Sequence, residues 1–157
     1  MSAAANLMAE LVDLLSTAAP TLAIPIDPAR VFQMQPDANG QTPYLVVVLP
    51  NPFLVSEWSG SGQLVDTHFF AEVQVVTQLP RGVAHILGDN TQPGEMNLVE
   101  SIIDALENNF SAFKAAAPSL VDYRVMAGGA LVDAATGWLI QCPITIDFWT
   151  RTTAGNR

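Results

Sequence analysis

Residues 63–78 read QLVDTHFFAEVQVVTQ, and this stretch alternates between the two faces of an extended chain. One face carries Val65, Thr67, Phe69, Ala71, Val73 and Val75, and the other carries Asp66, His68, Phe70, Glu72 and Gln74. Alternation with a period of two predicts a strand with one buried and one partly exposed face. At about 3.3 Å per residue the strand would span roughly 50 Å, whereas the domain should have a radius of gyration of about 15 Å. We therefore expect the strand to bend, to break at a bulge, or to project from the domain.

Four further segments predict strands. Tyr44–Leu49 is apolar on both faces, which is typical of a strand in the middle of a sheet. A short strand is expected around Arg30–Gln33. Leu120–Val132 and Trp138–Thr150 predict the two arms of a hairpin, with its turn at Ala134–Gly137.

Two features interrupt this hairpin. The pair Gly128–Gly129 indicates a bulge or a close approach of the backbone in the first arm. Pro143 lies within the second arm and has no N–H to donate to a neighbouring strand. Its position predicts that the second arm is an edge strand or contains a bulge.

Two segments predict helices. Residues 3–17 carry leucines at helical spacing, and residues 95–109 carry a second apolar stripe that includes Ile102 and Leu106. Asn108–Asn109 is a suitable end for the second helix, because asparagine tolerates the left-handed cap conformation.

The segregated order of helices and strands predicts an α+β fold with a mostly antiparallel sheet flanked by two main helices. A chain of 157 residues fits one domain. We expect that domain to cover residues 1–150 and a polar, mobile tail to cover residues 151–157.

The charge of the chain excludes some classes of partner. The net charge is −9, and Lys114 is the only lysine, so a protein that binds nucleic acid through its phosphates is not expected.

The N-terminal residues contain Glu10 and Asp13 without a basic segment, which argues against a signal peptide. The longest apolar run, Tyr44–Leu49, is too short to span a membrane. Only 13% of residues are charged, which is consistent either with a neutral polar surface or with coverage by neighbouring subunits.

The sequence predicts no catalytic or cofactor-binding residues, and we expect that the protein is not an enzyme. It contains no G-x-S-x-G motif, and Cys142 lies on the apolar face of a predicted strand, where a thiol is normally inert. The best candidate metal ligands are Asp66, His68 and Glu72, which share one strand face. Alternating polar residues are also the ordinary content of a solvent-facing strand, so a small metal-dependent enzyme remains only an alternative.

Two long segments carry apolar residues between proline and glycine: Asn51–Gly62, interpreted as a loop, and Leu79–Gly94. Long loops of this kind are usually functional or disordered. Their apolar side chains must either fold back on the core or bury against a partner. Together with two residues near the end of the last strand, they give these candidates for a protein interface: Phe53, Leu54, Trp58, Val83, Ile86, Trp149 and Arg151.

In the order of these elements and in their hydrophobic patterns, the chain resembles the tail terminator proteins of long-tailed bacteriophages, and more loosely other head–tail joining proteins. The resemblance runs over most of the chain. It is carried by the N-terminal amphipathic helix, Val31-Phe32, the strands Pro43–Val48 and Phe69–Val75, the helix Leu98–Leu106 and the closing strand Ile144–Arg151.

This resemblance implies a structural virion protein that assembles in the host cytoplasm and lies in the neck or tail of the particle. Such proteins form a ring, typically of six copies, that caps the finished tail tube and docks the head. The partners would be the tail tube protein and a head-completion or neck protein, with DNA only as passing cargo and no membrane. Another neck or tail-completion subunit, or a tail tube subunit, would share most of these features.

Overall fold

The computed structural model describes residues 2–35, 42–58, 62–78, 86–89, 91–129, 131–132 and 139–153. Within these ranges the chain forms three α-helices and seven β-strands. The helices are α1 (Ala3–Ala18), α2 (Glu95–Glu107) and α3 (Phe110–Ala116). The strands are β1 (Val31–Gln33), β2 (Tyr44–Val48), β3 (Leu54–Trp58), β4 (Leu64–Gln78), β5 (Leu120–Ala127), β6 (Leu131–Val132) and β7 (Leu139–Thr153).

All seven strands belong to one sheet. Its main order is β1-β2-β4-β7-β5, with β3 also paired with β4 and β6 also paired with β7. Of these pairs, only β1 with β2 is parallel. This mostly antiparallel sheet with its helices confirms the predicted α+β class.

The alternating stretch forms the centre of the sheet as strand β4. It runs unbroken for 15 residues and pairs along its whole length with β7, from Leu64 opposite Thr153 to Gln78 opposite Leu139. On its other side, β3 covers the first half of β4 and β2 covers the second half. The first half of β4 therefore extends past β2, accompanied by β3 and β7.

The main hydrophobic core lies between the helices and one face of the sheet. Helix α1 begins after Ser2, whose hydroxyl oxygen accepts a hydrogen bond from the Ala5 N–H, as in an N-cap. The predicted buried face of β4 is confirmed, since Val65, Phe69, Ala71, Val73 and Val75 are all buried. The helices contribute these fully buried side chains: Leu7, Leu11, Leu15, Leu98, Ile102, Leu106 and Phe113.

The opposite face of the sheet carries a smaller apolar cluster. Tyr44, Val46 and Val76 are buried there. The rest of this face is occupied by the polar and aromatic side chains described in the next section. One face of the sheet is thus apolar and covered by helices, whereas the other carries many polar side chains, as the alternation of β4 predicts.

Strand β3 corrects the prediction that Asn51–Gly62 is a loop. Leu54–Trp58 is a strand whose residues pair with Phe69 back to Val65 of β4. Prolines precede this short segment and glycines follow it, which is a composition typical of loops. Its strand conformation depends on hydrogen bonds to β4, which is distant in the sequence.

Helix α3 was not predicted, and the apolar stripe of the second predicted helix was extended one turn too far. Helix α2 has its C-cap at Asn108, and a separate helix begins at Phe110. Phe110 is exposed, whereas Phe113 fills the core. The predicted helix end at Asn108–Asn109 is confirmed, but neither asparagine adopts the left-handed conformation, and α3 follows directly.

Strand β7 corrects the prediction that Pro143 lies in an edge strand or at a bulge, since the register between β7 and β4 passes through Pro143 without a shift. β7 lies between β4 on one side and β5 with β6 on the other. Pro143 is tolerated because it faces the gap between β5 and β6, where the Gly128 N–H donates to the Pro143 carbonyl oxygen at 2.7 Å. A Cβ at Gly128 would lie 2.8 Å from Pro143 Cγ, so the predicted close approach is confirmed at Gly128, whereas a Cβ at Gly129 would meet nothing within 4 Å. The predicted turn at 134–137 lies outside the described residues.

The predicted boundary of the tail at residue 151 is wrong. Strand β7 continues through Thr153, and residues 151–153 pair with β4 back to Leu64. Arg151 and the two threonines are polar, but all three residues pair with β4, and the Arg151 side chain binds Asp66. Residues 154–157 lie outside the described part of the chain.

Candidate functional site

The most exposed apolar surface lies on β3 and the residue before it. Phe53, Leu54 and Trp58 expose 46%, 43% and 64% of their surface. We call this segment, Phe53–Trp58, the β3 arm. Among the described strands, β3 pairs only with β4 and is therefore an edge strand of the described sheet.

The register of β3 divides these side chains between the two faces of the sheet, since Phe53 continues it opposite Phe70, on the helix-free face. Leu54 and Trp58 lie opposite Phe69 and Val65, on the sheet face that the helices cover elsewhere. The arm is held in place by the Phe70 N–H, which donates to the Phe53 carbonyl oxygen at 2.8 Å. Full burial of a large apolar side chain contributes about 1.5–3 kcal/mol, so an arm of three such residues favours association.

The other side of the sheet ends in a second free edge. Among the described strands, β5 pairs only with β7. Val121 and Met126 on β5 are exposed apolar residues, and Arg124 is exposed beside them. The described sheet therefore has β1 and β3 along one side and β5 and β6 along the other, and the exposed apolar residues of β3 differ from those of β5.

An aromatic column crosses β4 and β7 on the helix-free face of the sheet. The Trp149 and His68 rings stack with centroids 6.1 Å apart, and the His68 and Phe70 rings follow at 6.2 Å. The Arg151 guanidinium lies over the Trp149 ring, 5.1 Å from its centroid. Cation–π and stacking contacts of this kind fix side chains that would otherwise be mobile.

Asp147 anchors this column. It is only 4% exposed, and its Oδ1 lies 2.8 Å from His68 Nδ1. Because a carboxylate accepts hydrogen bonds, this contact places the proton of His68 on Nδ1. Arg124 Nη2 donates to Asp147 Oδ2 at 3.2 Å. The buried carboxylate is thereby satisfied on both oxygens.

Asp66 and Arg151 form an ion pair at the end of the column. Arg151 Nε and Nη2 donate to the two carboxylate oxygens at 2.6 and 2.8 Å. The guanidinium beside Asp66 holds the pKa of that carboxyl below its usual range. The same contact raises the pKa of Arg151.

The three candidate metal ligands do not converge on a common point. Asp66 is engaged by Arg151 and His68 by Asp147, while the Gln74 amide donates to Glu72 Oε1 at 3.0 Å. Among the described residues, no group of three or more His, Cys, Asp or Glu side chains could hold a metal ion. A cavity of about 310 Å³ opens beside His68, Asp147 and Trp149. His68 and Arg124 are both paired with Asp147, whereas the buried Trp149 Nε1–H has no hydrogen-bond partner among the described residues.

The structure brings some of the predicted interface residues together and separates others. Phe53, Leu54 and Trp58 all lie on the β3 arm, with Leu54 and Trp58 on the helix face of the sheet and Phe53 on the other. Trp149 and Arg151 lie at the same end of the sheet, in the aromatic column. Ile86 instead lines a separate cavity beside α2. Val83 lies outside the described residues.

The sequence interpretation missed two acidic residues that the structure buries, Asp147 and Glu95. Asp147 alternates with Ile146 and Phe148, which indicates the polar face of a strand but not burial. Glu95 looks like an ordinary acidic residue at a helix start. Neither gave a signal in the sequence, because their burial depends on neighbours that are distant along the chain.

No helix among the described residues is long and apolar enough to cross a membrane. No protein-family model matches the sequence, and no curated protein matches it significantly.

Proposed function

We propose that this protein is a structural virion subunit, a tail terminator that forms a closed ring on the completed tail tube of a long-tailed bacteriophage and docks the head. The observation that carries this proposal is the β3 arm. A free edge strand with three exposed large apolar side chains is a liability in a monomer and a natural contact in an assembly.

A closed ring needs two different surfaces on each copy, because each subunit contacts one neighbour with its front and the other with its back. The β3 and β5 edges provide such a pair, and they lie on opposite sides of the β4–β7 ribbon. Addition of one copy's β3 to the next copy's β5 would extend the sheet by main-chain hydrogen bonds. The apolar side chains of the arm would then be buried at the junction.

The charge of the chain suits a ring through which DNA passes. Six copies at −9 each would carry about −54. A channel with that charge repels phosphate, so DNA would move through it without being held. The tail tube protein and a head-completion or neck protein would contact the two ends of the ring.

The proposal can be tested by adding the purified protein to tail tube protein from the same virion during tube growth. We expect tube growth to stop and negative-stain images to show a ring at one end of each tube. A variant with Trp58→Ser should cap poorly, whereas Leu87→Ser, which removes another exposed apolar side chain, should cap normally.

Two outcomes would assign the protein elsewhere and contradict the terminator role. If the protein alone polymerises into long tubes, it is a tail tube subunit. If it leaves growing tubes unaffected but binds filled heads, it is a neck protein.

A further inference from the structure

A second cavity lies between the first turns of α2 and the far end of the β5–β7 pair. Its volume is about 420 Å³, within the range of small-molecule sites. The walls are mostly apolar and include Ile86, Val99, Ile103 and Cys142. None of the interface residues on the β3 arm contributes to it.

Glu95 forms part of the wall and is only 2% exposed. Its Oε2 accepts a hydrogen bond from the Thr77 hydroxyl at 2.9 Å. Its Oε1 is also buried, and it has no hydrogen-bond partner among the described residues. Burial raises the pKa of this carboxyl. A buried acceptor without a partner is costly, and native proteins rarely keep one unless a ligand or water completes it.

The backbone around Glu95 holds the carboxyl in this position. The Gly94 N–H donates to Asn97 Oδ1 at 2.9 Å, which fixes the start of α2. A Cβ at Gly94 would lie 2.1 Å from the Gly88 nitrogen, so the chain before the helix packs directly against it. These contacts fix the backbone that precedes Glu95 beside the cavity.

The charged groups at the cavity all have one sign. Glu95 lies in the wall and Glu100 at its exposed side, and the described lining contains no lysine, arginine or histidine. An apolar space with an unpartnered carboxyl and a second acid nearby is complementary to an organic cation. Because Oε1 is closed to a molecule the size of water, the carboxyl would turn toward the cavity to accept a hydrogen bond from the cation, whose hydrocarbon part would contact the apolar wall.

We propose that the Glu95 cavity binds a primary ammonium group carried on a short aliphatic chain. The ligand is either a free alkylamine or the side chain of a lysine from a partner protein, since the two share this chemistry. An alcohol of equal length would fill the same space but would not bring a positive charge to Glu95. A carboxylate would be repelled by both acids. The proposal does not depend on ring assembly.

The test is a titration of the full chain with n-hexylammonium, 1-hexanol and hexanoate. Binding of each compound is monitored by NMR through the methyl signals of Val99 and Ile103. We expect n-hexylammonium to bind at least about tenfold more tightly than 1-hexanol, and hexanoate not to bind. Its affinity should increase as the pH rises and Glu95 ionises, whereas that of 1-hexanol should not. Glu95→Gln should reduce the affinity for n-hexylammonium by about tenfold or more. Glu107→Gln, an equal charge change at an exposed site on the same helix, should leave it unchanged.

The proposal is overturned if 1-hexanol binds as tightly as n-hexylammonium, if neither binds, or if Glu95→Gln has no effect. The comparison of ligands does not depend on the variant, so a poorly folded variant leaves the test intact. Nα-acetyl-lysine-N-methylamide distinguishes the two sources. Stronger binding of this compound indicates a lysine side chain, and weaker binding indicates a free amine.

Discussion

Asp66 on β4 and Arg151 on β7 form a bidentate ion pair, with N–O distances of 2.6 and 2.8 Å. The pair joins the two longest strands where β4 begins and β7 ends. Arg151 also covers Trp149, which stacks on His68. A residue that looks like part of a polar tail in the sequence is therefore part of the frame that supports the β3 arm. The arm, the ion pair and the aromatic column form one continuous end of the sheet.

Replacing Arg151 with Gln should raise the pKa of Asp66 toward its ordinary value, because the guanidinium is the main cause of its depression. A depressed folded pKa contributes stability that is present above the unfolded-state value of about 3.9 and is lost as the pH falls through the folded value. The variant should therefore lose less stability on acidification. An NMR titration of the Asp66 carboxyl measures the shift, with Arg124→Gln as control. An unchanged pKa in the Arg151 variant would show that the pair does not form in solution.

Replacing His68 with Phe should destabilise the protein by about 1.5–3 kcal/mol, since the buried Asp147 loses a charge-assisted hydrogen bond while the ring stack is retained. Arg124, which is 71% exposed, should contribute much less, so Arg124→Gln should cost no more than about 1 kcal/mol. Urea unfolding of the three proteins gives both values. Equal costs for the two variants would contradict this division of roles.

Glu95 should make the protein less stable as the pH rises. Its pKa is raised in the folded state, so its stabilising contribution is complete below the unfolded value of about 4.3 and is lost as the pH rises through the folded value. Glu95→Gln removes this loss and can keep the hydrogen bond from Thr77. In thermal unfolding from acidic to neutral pH, the melting temperature of the variant should increase relative to that of the parent protein as the pH rises. If Glu107→Gln gives the same trend, the effect comes from overall charge and not from the buried carboxyl.

Cys142 should react slowly with thiol reagents in the folded protein. Its side chain is buried, and burial, followed by the charge of Glu95, raises the pKa of the thiol. We expect labelling at least about tenfold slower in buffer than in denaturant. Glu95→Gln should accelerate it modestly by removing the negative charge. Rapid stoichiometric labelling of the native protein would mean that the wall of the cavity is open at Cys142.

Much of the fold follows from local patterns. The period-two alternation in β4 assigns its faces, because each side chain reports the environment on one side of the sheet. The leucine spacing of α1 does the same for a helix. These signals need no knowledge of distant neighbours, and the structure agrees with both.

The rest depends on pairing that local patterns do not encode. Leu54–Trp58 becomes a strand only because β4 lies beside it. Arg151–Thr153 extends β7 for the same reason. His68 meets Asp147 because of the register between β4 and β7, and a shift of one residue would place Asp147 on the other face.

A protein that forms a closed ring through the β3 arm should have a single assembled mass in solution. The most direct test is native mass spectrometry of the full chain over a wide range of concentration, with Trp58→Ser and Leu87→Ser measured beside it. Six copies of the 16.8 kDa chain give about 101 kDa. We predict a discrete species of that mass, nothing larger, and loss of the species in the Trp58 variant alone. A monomer at every concentration, open-ended growth, or a ring that tolerates Trp58→Ser would contradict the account.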